Sequence, residues 1–303
     1  MHSRRSVLKM ATSSGVLAAV PAPILARLEL GSANLQTVSD GNLVLPGSFI
    51  FDGMPEGELQ TVLEAFELSS DRITPPCNLT LLQDGPRNIL FDVGSGPDFM
   101  PTAGNVVASL EAIGLAPEDI THVVFTHAHP DHIWGLLDDF DEPVFYEATY
   151  MMGKAEWEYW WNPATVDTIG DARAAFAVGA KRRMEAVEDK IILFGDGDEV
   201  LPGIAALATP GHTPGHMAFE VRQGSTGALV VGDAIGNHHV AFRRPSWVSG
   251  SDQDGEMAAA SRTMLFDRLT NEDLTVVGFH LPAGGIGHAE MHDDGFLFVP
   301  EGV

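Results

Sequence analysis

The stretch Phe125–Trp134, "FTHAHPDHIW", places three histidines and an aspartate within the six positions from His127 to His132. It continues "ITHVV", residues 120–124, an apolar run with the character of a buried strand. Pro130 suits the first turn of a helix beginning "PDHIWGLL". The cluster therefore stands where a strand hands over to a helix. Extended backbone points every second side chain the same way, so His127 and His129 can grip one ion across Ala128. Asp131 and His132 follow on the first helical turn, placed for a second ion.

Three more residues complete a ligand set. His212 lies in "TPGHTPGH", Asp233 in "VVGDA" and His280 in "VVGFHLP", each after a strand pattern or in a tight Gly/Pro turn. Cys77 is the only cysteine, which excludes an internal disulfide and a thiolate cluster. The donors must then be imidazole and carboxylate, seven in all: His127, His129, Asp131, His132, His212, Asp233 and His280. Zinc accepts such donors at about 2.0–2.2 Å and keeps a position for water in catalytic sites. Two divalent ions are expected, with zinc first and manganese, iron or cobalt left open.

"THAHPDH", "TPGHTPGH", "GDA" and the final "GFH" resemble, in order and spacing, the metallo-β-lactamase superfamily over roughly Leu43 to His280. The resemblance implies an αββα sandwich, a single α/β domain, with a dinuclear site at the edge of two sheets. By that resemblance His127, His129 and His212 hold the first metal, Asp131, His132 and His280 the second, and Asp233 bridges them. The closing "GFHLPAGGIGHAEMHDDGFLFVP" is similar to the methyl parathion hydrolase and secreted lactonase branch. The short chain after His280 predicts no helical domain of the glyoxalase II kind, and Asp233 in place of a thiolate speaks against the broad β-lactamases.

The chemistry expected is attack by a metal-bridging hydroxide on a lactone, ester or phosphotriester, with Asp131 and Asp233 orienting that hydroxide. No G-x-S-x-G elbow is present to support a covalent route. A non-haem iron oxygenase on the same fold, or a thioesterase or sulfatase-type hydrolase, is the alternative, which metal analysis and a substrate panel separate. A binder that merely keeps the scaffold should have lost ligands, and none is lost.

Around this set, Asp92 in "LFDVG" is a candidate to accept a hydrogen bond from a ligand imidazole. His216 and His122 are assigned supporting rather than ligating roles. Trp157, Trp160 and Trp161 are candidates for an apolar substrate wall, and His238 and His239 for substrate contact. Arg243 and Arg244 could also reach substrate, whereas Met151 and Met152 have the pattern of core.

The chain is long enough, at 303 residues with 45% apolar and 19% charged, to bury a full core. Seventeen basic against 42 acidic residues give a formal charge of −25, the wrong sign for a nucleic-acid partner. A small-molecule substrate fits better. "SRRSVLKM", with Arg4 and Arg5, precedes a modest apolar stretch and matches a twin-arginine export signal over residues 1–26, cleaved near Ala22 or Ala26. A periplasmic or extracellular location is expected, and no later apolar run predicts stable membrane insertion. A homodimer through an apolar β edge or the tryptophan segment stays open.

The hydrolase domain is placed at 41–303. Short apolar runs from Gly41 to Val93, such as "NLVLPGSFIFDG" and "RNILFDVG", predict a sheet of hairpins. "NVVASLEAIGL", the segment Lys154–Lys190 and a run near Glu256–Leu269 predict helices. Sheets inside and helices outside follow.

Overall fold

The computed structural model describes residues 26–302, so the export-signal reading falls almost wholly outside the described residues. Two seven-stranded sheets form its centre. The first runs, in spatial order, through Arg27–Leu30, Ala33–Asn42, Pro76–Asp84, Arg87–Phe91, His122–Phe125, Thr149–Gly153 and Ile192–Phe194. The second runs through Glu199–Leu201, Ile204–Ala208, Met217–Gln223, Thr226–Gly232, Thr275–Gly278, Ile286–His292 and Gly295–Pro300. In both sheets the spatial order is the chain order, so each half of the chain builds one layer.

Alternation along the strands sorts side chains into separate cores. On His122–Phe125, Val123 and Phe125 face the helices, whereas Val124 joins Phe91, Phe219 and Val230 between the sheets. Helices Lys154–Trp161 and Ala174–Glu185 cover the outer face of the first sheet, and helix Gly255–Asn271 covers the second. These layers make the αββα sandwich. Met151 and Met152 are both buried, one on each side of the first sheet.

The sheet directions place the ligand-bearing segments. Pairing is parallel between Arg87–Phe91 and His122–Phe125, and between Thr226–Gly232 and Thr275–Gly278. The carboxyl ends of these four strands lead directly into Asp92, His127, Asp233 and His280. In sheets with parallel strands, ligand sites form where the strands' carboxyl ends open a crevice.

Two sequence expectations need correction. The first sheet begins at Arg27, not at Gly41, because Arg27–Leu30 and Ala33–Asn42 form a hairpin whose second strand pairs with Pro76–Asp84. The stretch "NLVLPGSFIFDG" is not a hairpin strand either. It yields a two-residue strand, Leu45–Pro46, and a helical turn, Ser48–Phe51, before helix Glu56–Ala65. Tertiary burial decides this conformation: Ile50, Phe51, Val62 and Leu63 cluster with Val240 from the chain beyond Asp233. The segment thereby becomes a wall beside the ligand cluster.

No helix among the described residues is long and apolar enough to cross a membrane. Phe219 is fully buried between the sheets, with ring centroids 5.3 Å from Phe91 and 5.8 Å from Phe194. Phe219→Ala should cost about 3–5 kcal/mol in chemical denaturation. A loss below about 1 kcal/mol would contradict a core shared by the two sheets.

Candidate metal centre

All seven candidate ligands are buried and fall into two groups, His127, His129 and His212 in one, and Asp131, His132, Asp233 and His280 in the other. Within each group the possible ligand atoms lie within 4.8 Å of one another. In the first, His129 Nδ1 stands 3.1 Å from His127 Nε2 and 2.9 Å from His212 Nε2. Two nitrogens bound tetrahedrally to one zinc ion at about 2.0–2.1 Å would stand roughly 3.3 Å apart, close to this spacing. In the second, Asp131 Oδ2 is 3.2 Å from His280 Nε2 and 3.5 Å from His132 Nε2. The Asp233 carboxylate touches both groups, with Oδ2 at 3.3 Å from His212 Nε2 and 3.4 Å from His280 Nε2, and Oδ1 at 3.4 Å from His132 Nε2.

Hydrogen bonds outside the cluster determine which nitrogen of each ring turns inward. Asp92 Oδ2 accepts from the Nδ1–H of His132 at 2.8 Å, Asp252 Oδ1 from that of His212 at 3.0 Å, and the Pro76 carbonyl from that of His280 at 2.7 Å. With Nδ1 engaged by these outer oxygens, Nε2 is the nitrogen that each of the three rings turns toward the cluster. The Thr126 hydroxyl donates to Asp92 Oδ2, so its oxygen is free to accept from the Nδ1–H of His127 at 3.0 Å. His129 is the exception, with Nδ1 inward.

The donor chemistry fits a pair of cations. His132 Nε2 and Asp233 Oδ1 are buried with no hydrogen-bond partner, an expensive condition for polar atoms unless an ion completes them. Charge gives the same indication. Burial opposes an imidazolium at His132, yet the carboxylates of Asp233, Asp131 and Asp92 outweigh it and raise its pKa to about 10. Burial is likewise outweighed at His212, where Asp233 and Asp252 lift the value to about 9. Without metal, protons take the place of the missing positive charge. Burial with the neighbouring imidazoles instead keeps His127 and His129 neutral.

Asp92 sits at φ +63, a left-handed conformation that aspartate tolerates better than most residues. There it also accepts from the Thr126 backbone N–H at 2.8 Å, tying the two strand ends together. His216 Nε2 accepts from the Asp233 backbone N–H at 3.0 Å and so holds the peptide of the shared carboxylate. Burial and the nearby His212 keep that ring neutral, as an acceptor requires. Gly232 makes the contact possible, because a Cβ there would stand 2.7 Å from His216 Nε2. His122 lies apart from the cluster, with Nδ1 2.8 Å from the Thr121 hydroxyl. Asp252 escaped sequence reading: it follows His212 by forty residues in the loop "SGSDQDG", and no periodic signal marks it.

A cavity of about 270 Å³ opens over the cluster, with His129, Asp131, His212, Asp233 and His280 at its floor. His238 and His239 line it beside Leu45, Phe49, Ile50 and Trp247. Burial lowers their pKa values to about 4 and about 3. Trp157, Trp160 and Trp161 do not line it, which corrects the sequence expectation. Trp160 is 1% exposed with its indole N–H donating to Glu156, and Trp157 stacks on Trp161 with centroids 5.1 Å apart. Their helical spacing serves packing against the first sheet. Arg243 pairs with Asp293, and Arg244, which reaches the cavity, pairs with Asp294 and Glu58.

Comparison with known proteins agrees with this geometry. Residues 73–264 match the family described as the metallo-beta-lactamase superfamily. The N-acyl homoserine lactonases AttM of Azorhizobium caulinodans and Agrobacterium fabrum are 31% and 33% identical over 128 and 119 residues, or 41% and 38% of this chain. The chain thus spans under half the length of these relatives, 44% and 41%. A solved structure of AidC, a dizinc quorum-quenching lactonase in complex with a product N-hexanoyl-L-homoserine, superposes with a TM-score of 0.86 at 25% identity, covering 93% of this chain and 99% of that one. The hydrolase AbOPH superposes at 0.84 with 24% identity over 91% and 97%, and shows the same fold.

Metal binding must displace the protons that His132, His212 and His280 hold in the metal-free protein, the last also raised well above the usual imidazole range by Asp233 and Asp131 against the cost of burial. The values lie above neutrality, so at pH 7 zinc uptake should release roughly one proton or more per ion, and apparent affinity should rise with pH up to about 10, the value at His132. Calorimetry in buffers of different ionisation enthalpy reads this release. A binding heat independent of buffer would contradict the charge assignment.

Proposed function

The chain belongs to the metallo-β-lactamase superfamily, and from that premise we propose that it is a dinuclear metallohydrolase opening neutral lactones or esters that carry an apolar acyl group. The observation that carries the proposal is the Asp233 carboxylate, in contact with His212 of one ligand group and with His132 and His280 of the other, on the floor of an apolar cavity. His127, His129 and His212 would hold one divalent ion, zinc by preference, and Asp131, His132 and His280 the second, with Asp233 between them. Bound there, such ions supply water activation at neutral pH and Lewis-acid polarisation of a carbonyl oxygen.

The chain's own groups account for the rest. Leu45, Phe49, Ile50, Met54 and Trp247 offer the acyl group an apolar wall and exclude water from the reacting bond. Asp131 and Asp233 would orient the attacking water through carboxylates that stay ionised, Asp233 held, against the cost of burial, well below the usual carboxylate range by the imidazoles around it; the proton that water gives up leaves with the product. The departing alkoxide is the natural acceptor of that proton. His238 and His239, neutral by burial, present hydrogen-bonding rings without charge.

The wall also argues against anionic substrates. Its guanidinium groups are those of Arg244 and Arg262. Arg244 is paired with Asp294, and Arg262 donates to the carbonyls of Pro245 and Trp247 beside Asp252. A sulfate ester or a carboxylate-bearing β-lactam would meet no uncommitted cation among these side chains. A phosphotriester is neutral and stays within the class.

A panel of lactones, aryl esters, phosphotriesters, thioesters and sulfate esters, assayed with zinc and with manganese, tests the proposal. Turnover should favour neutral acyl lactones and esters and vanish on chelation, and Asp233→Asn should lower kcat/KM by about 10²-fold or more. Undiminished turnover by metal-free protein, or a preference for sulfate esters, would sink it.

A further inference from the structure

Glu156 is fully buried near the start of helix Lys154–Trp161 and belongs to neither ligand group. Its Oε1 accepts from the backbone N–H of Ala128 at 2.9 Å and from the indole N–H of Trp160 at 2.6 Å. Its Oε2 accepts from the Thr213 hydroxyl at 2.7 Å and from the backbone N–H of Gly215 at 3.1 Å. Four donors surround two oxygens, an arrangement that the ionised carboxylate satisfies in full.

The identity of those donors is what matters. Ala128 is the residue between His127 and His129, and Thr213 follows His212. One carboxylate therefore joins the two distant chain segments that deliver the three imidazoles of the first group. Gly215 lets the histidine turn press onto the helix, since a Cβ there would stand 2.0 Å from the Glu156 backbone nitrogen. The second group hangs on other supports, Asp92 behind His132 and the Pro76 carbonyl behind His280.

We infer that Glu156 is a positioning residue of the first metal site: it fixes the distance between the His127–His129 pair and His212. The inference rests on the two-ion reading above. Glutamine at this position would turn one oxygen into a donor facing donors, and so would loosen one loop from the other.

Zinc-loaded wild-type and Glu156→Gln proteins, equilibrated against a graded series of chelator concentrations, give the test, with retained zinc counted by atomic emission and cobalt(II) spectra recorded in parallel. The variant should lose one of its two ions with an affinity roughly ten- to a hundredfold weaker while keeping the other as wild type does. The cobalt spectrum should change for the weakened site alone. Equal retention of both ions, or equal loss of both from a protein with wild-type circular dichroism and Tm, overturns the inference. Thr213→Val, which removes one donor and leaves the carboxylate, should shift the same ion by less. If Glu156→Gln does not fold, wild-type retention of both ions by Thr213→Val overturns it instead. A wild-type protein that never holds two ions removes the two-ion reading and this inference with it.

Discussion

The inward atoms of five imidazoles and two carboxylates converge on one small buried volume, and the rest of the molecule is arranged to make them do so. Such a cluster is self-repelling unless positive charge enters it. In the absence of metal, protons on His132, His212 and His280 supply that charge, because the neighbouring carboxylates outweigh the cost of burial. The outward Nδ1–H bonds to Asp92, Asp252 and Pro76 keep these rings from turning away. The cost of holding the donors together is thus met by hydrogen bonds outside the cluster and by the cation expected inside it.

The sandwich supplies the required stiffness. Strand ends from both sheets open at one edge, and the core between the sheets, built from residues such as Val124, Phe219 and Val230, prevents one ligand group from sliding against the other. Close approaches that only glycine permits, at Gly232 against His216 and at Gly215 against Glu156, bring turns nearer than a Cβ would allow. Loops deliver the ligands, but buried contacts at their roots determine where the loops stand.

The seven donors that cluster in the structure were legible in the sequence because each obeys a local rule: alternation across Ala128, a first helical turn at Asp131 and His132, a Gly/Pro turn at His212, and strand ends before Asp233 and His280. Strands in both halves were legible as apolar runs punctuated by Gly and Pro, whereas their stacking as a two-layer sandwich came from the family resemblance and the Arg27–Asn42 hairpin was missed. What escaped was set by tertiary contact. Trp157, Trp160 and Trp161 carry the composition of a binding wall, yet their helix turns them into the core and onto one another. The actual wall, around Phe49 and Ile50, resembles a strand until its burial against Val240 makes it helical. Asp252 and Glu156 act through partners far away in the chain, and no spacing within the sequence announces such a partner.

The two ligand groups differ in how their negative charge is supplied. Asp131 and Asp233 stand inside the second group, whereas the first is made of three imidazoles and shares only one edge of Asp233. Its further carboxylate lies one hydrogen bond further out, in Asp252 behind His212, while Glu156 holds the peptide between His127 and His129. An anion at that remove strengthens an imidazole as a donor without occupying a coordination position. His129 and His212 both face the cavity, so a carboxylate placed behind His212 leaves that face of the ring open to it.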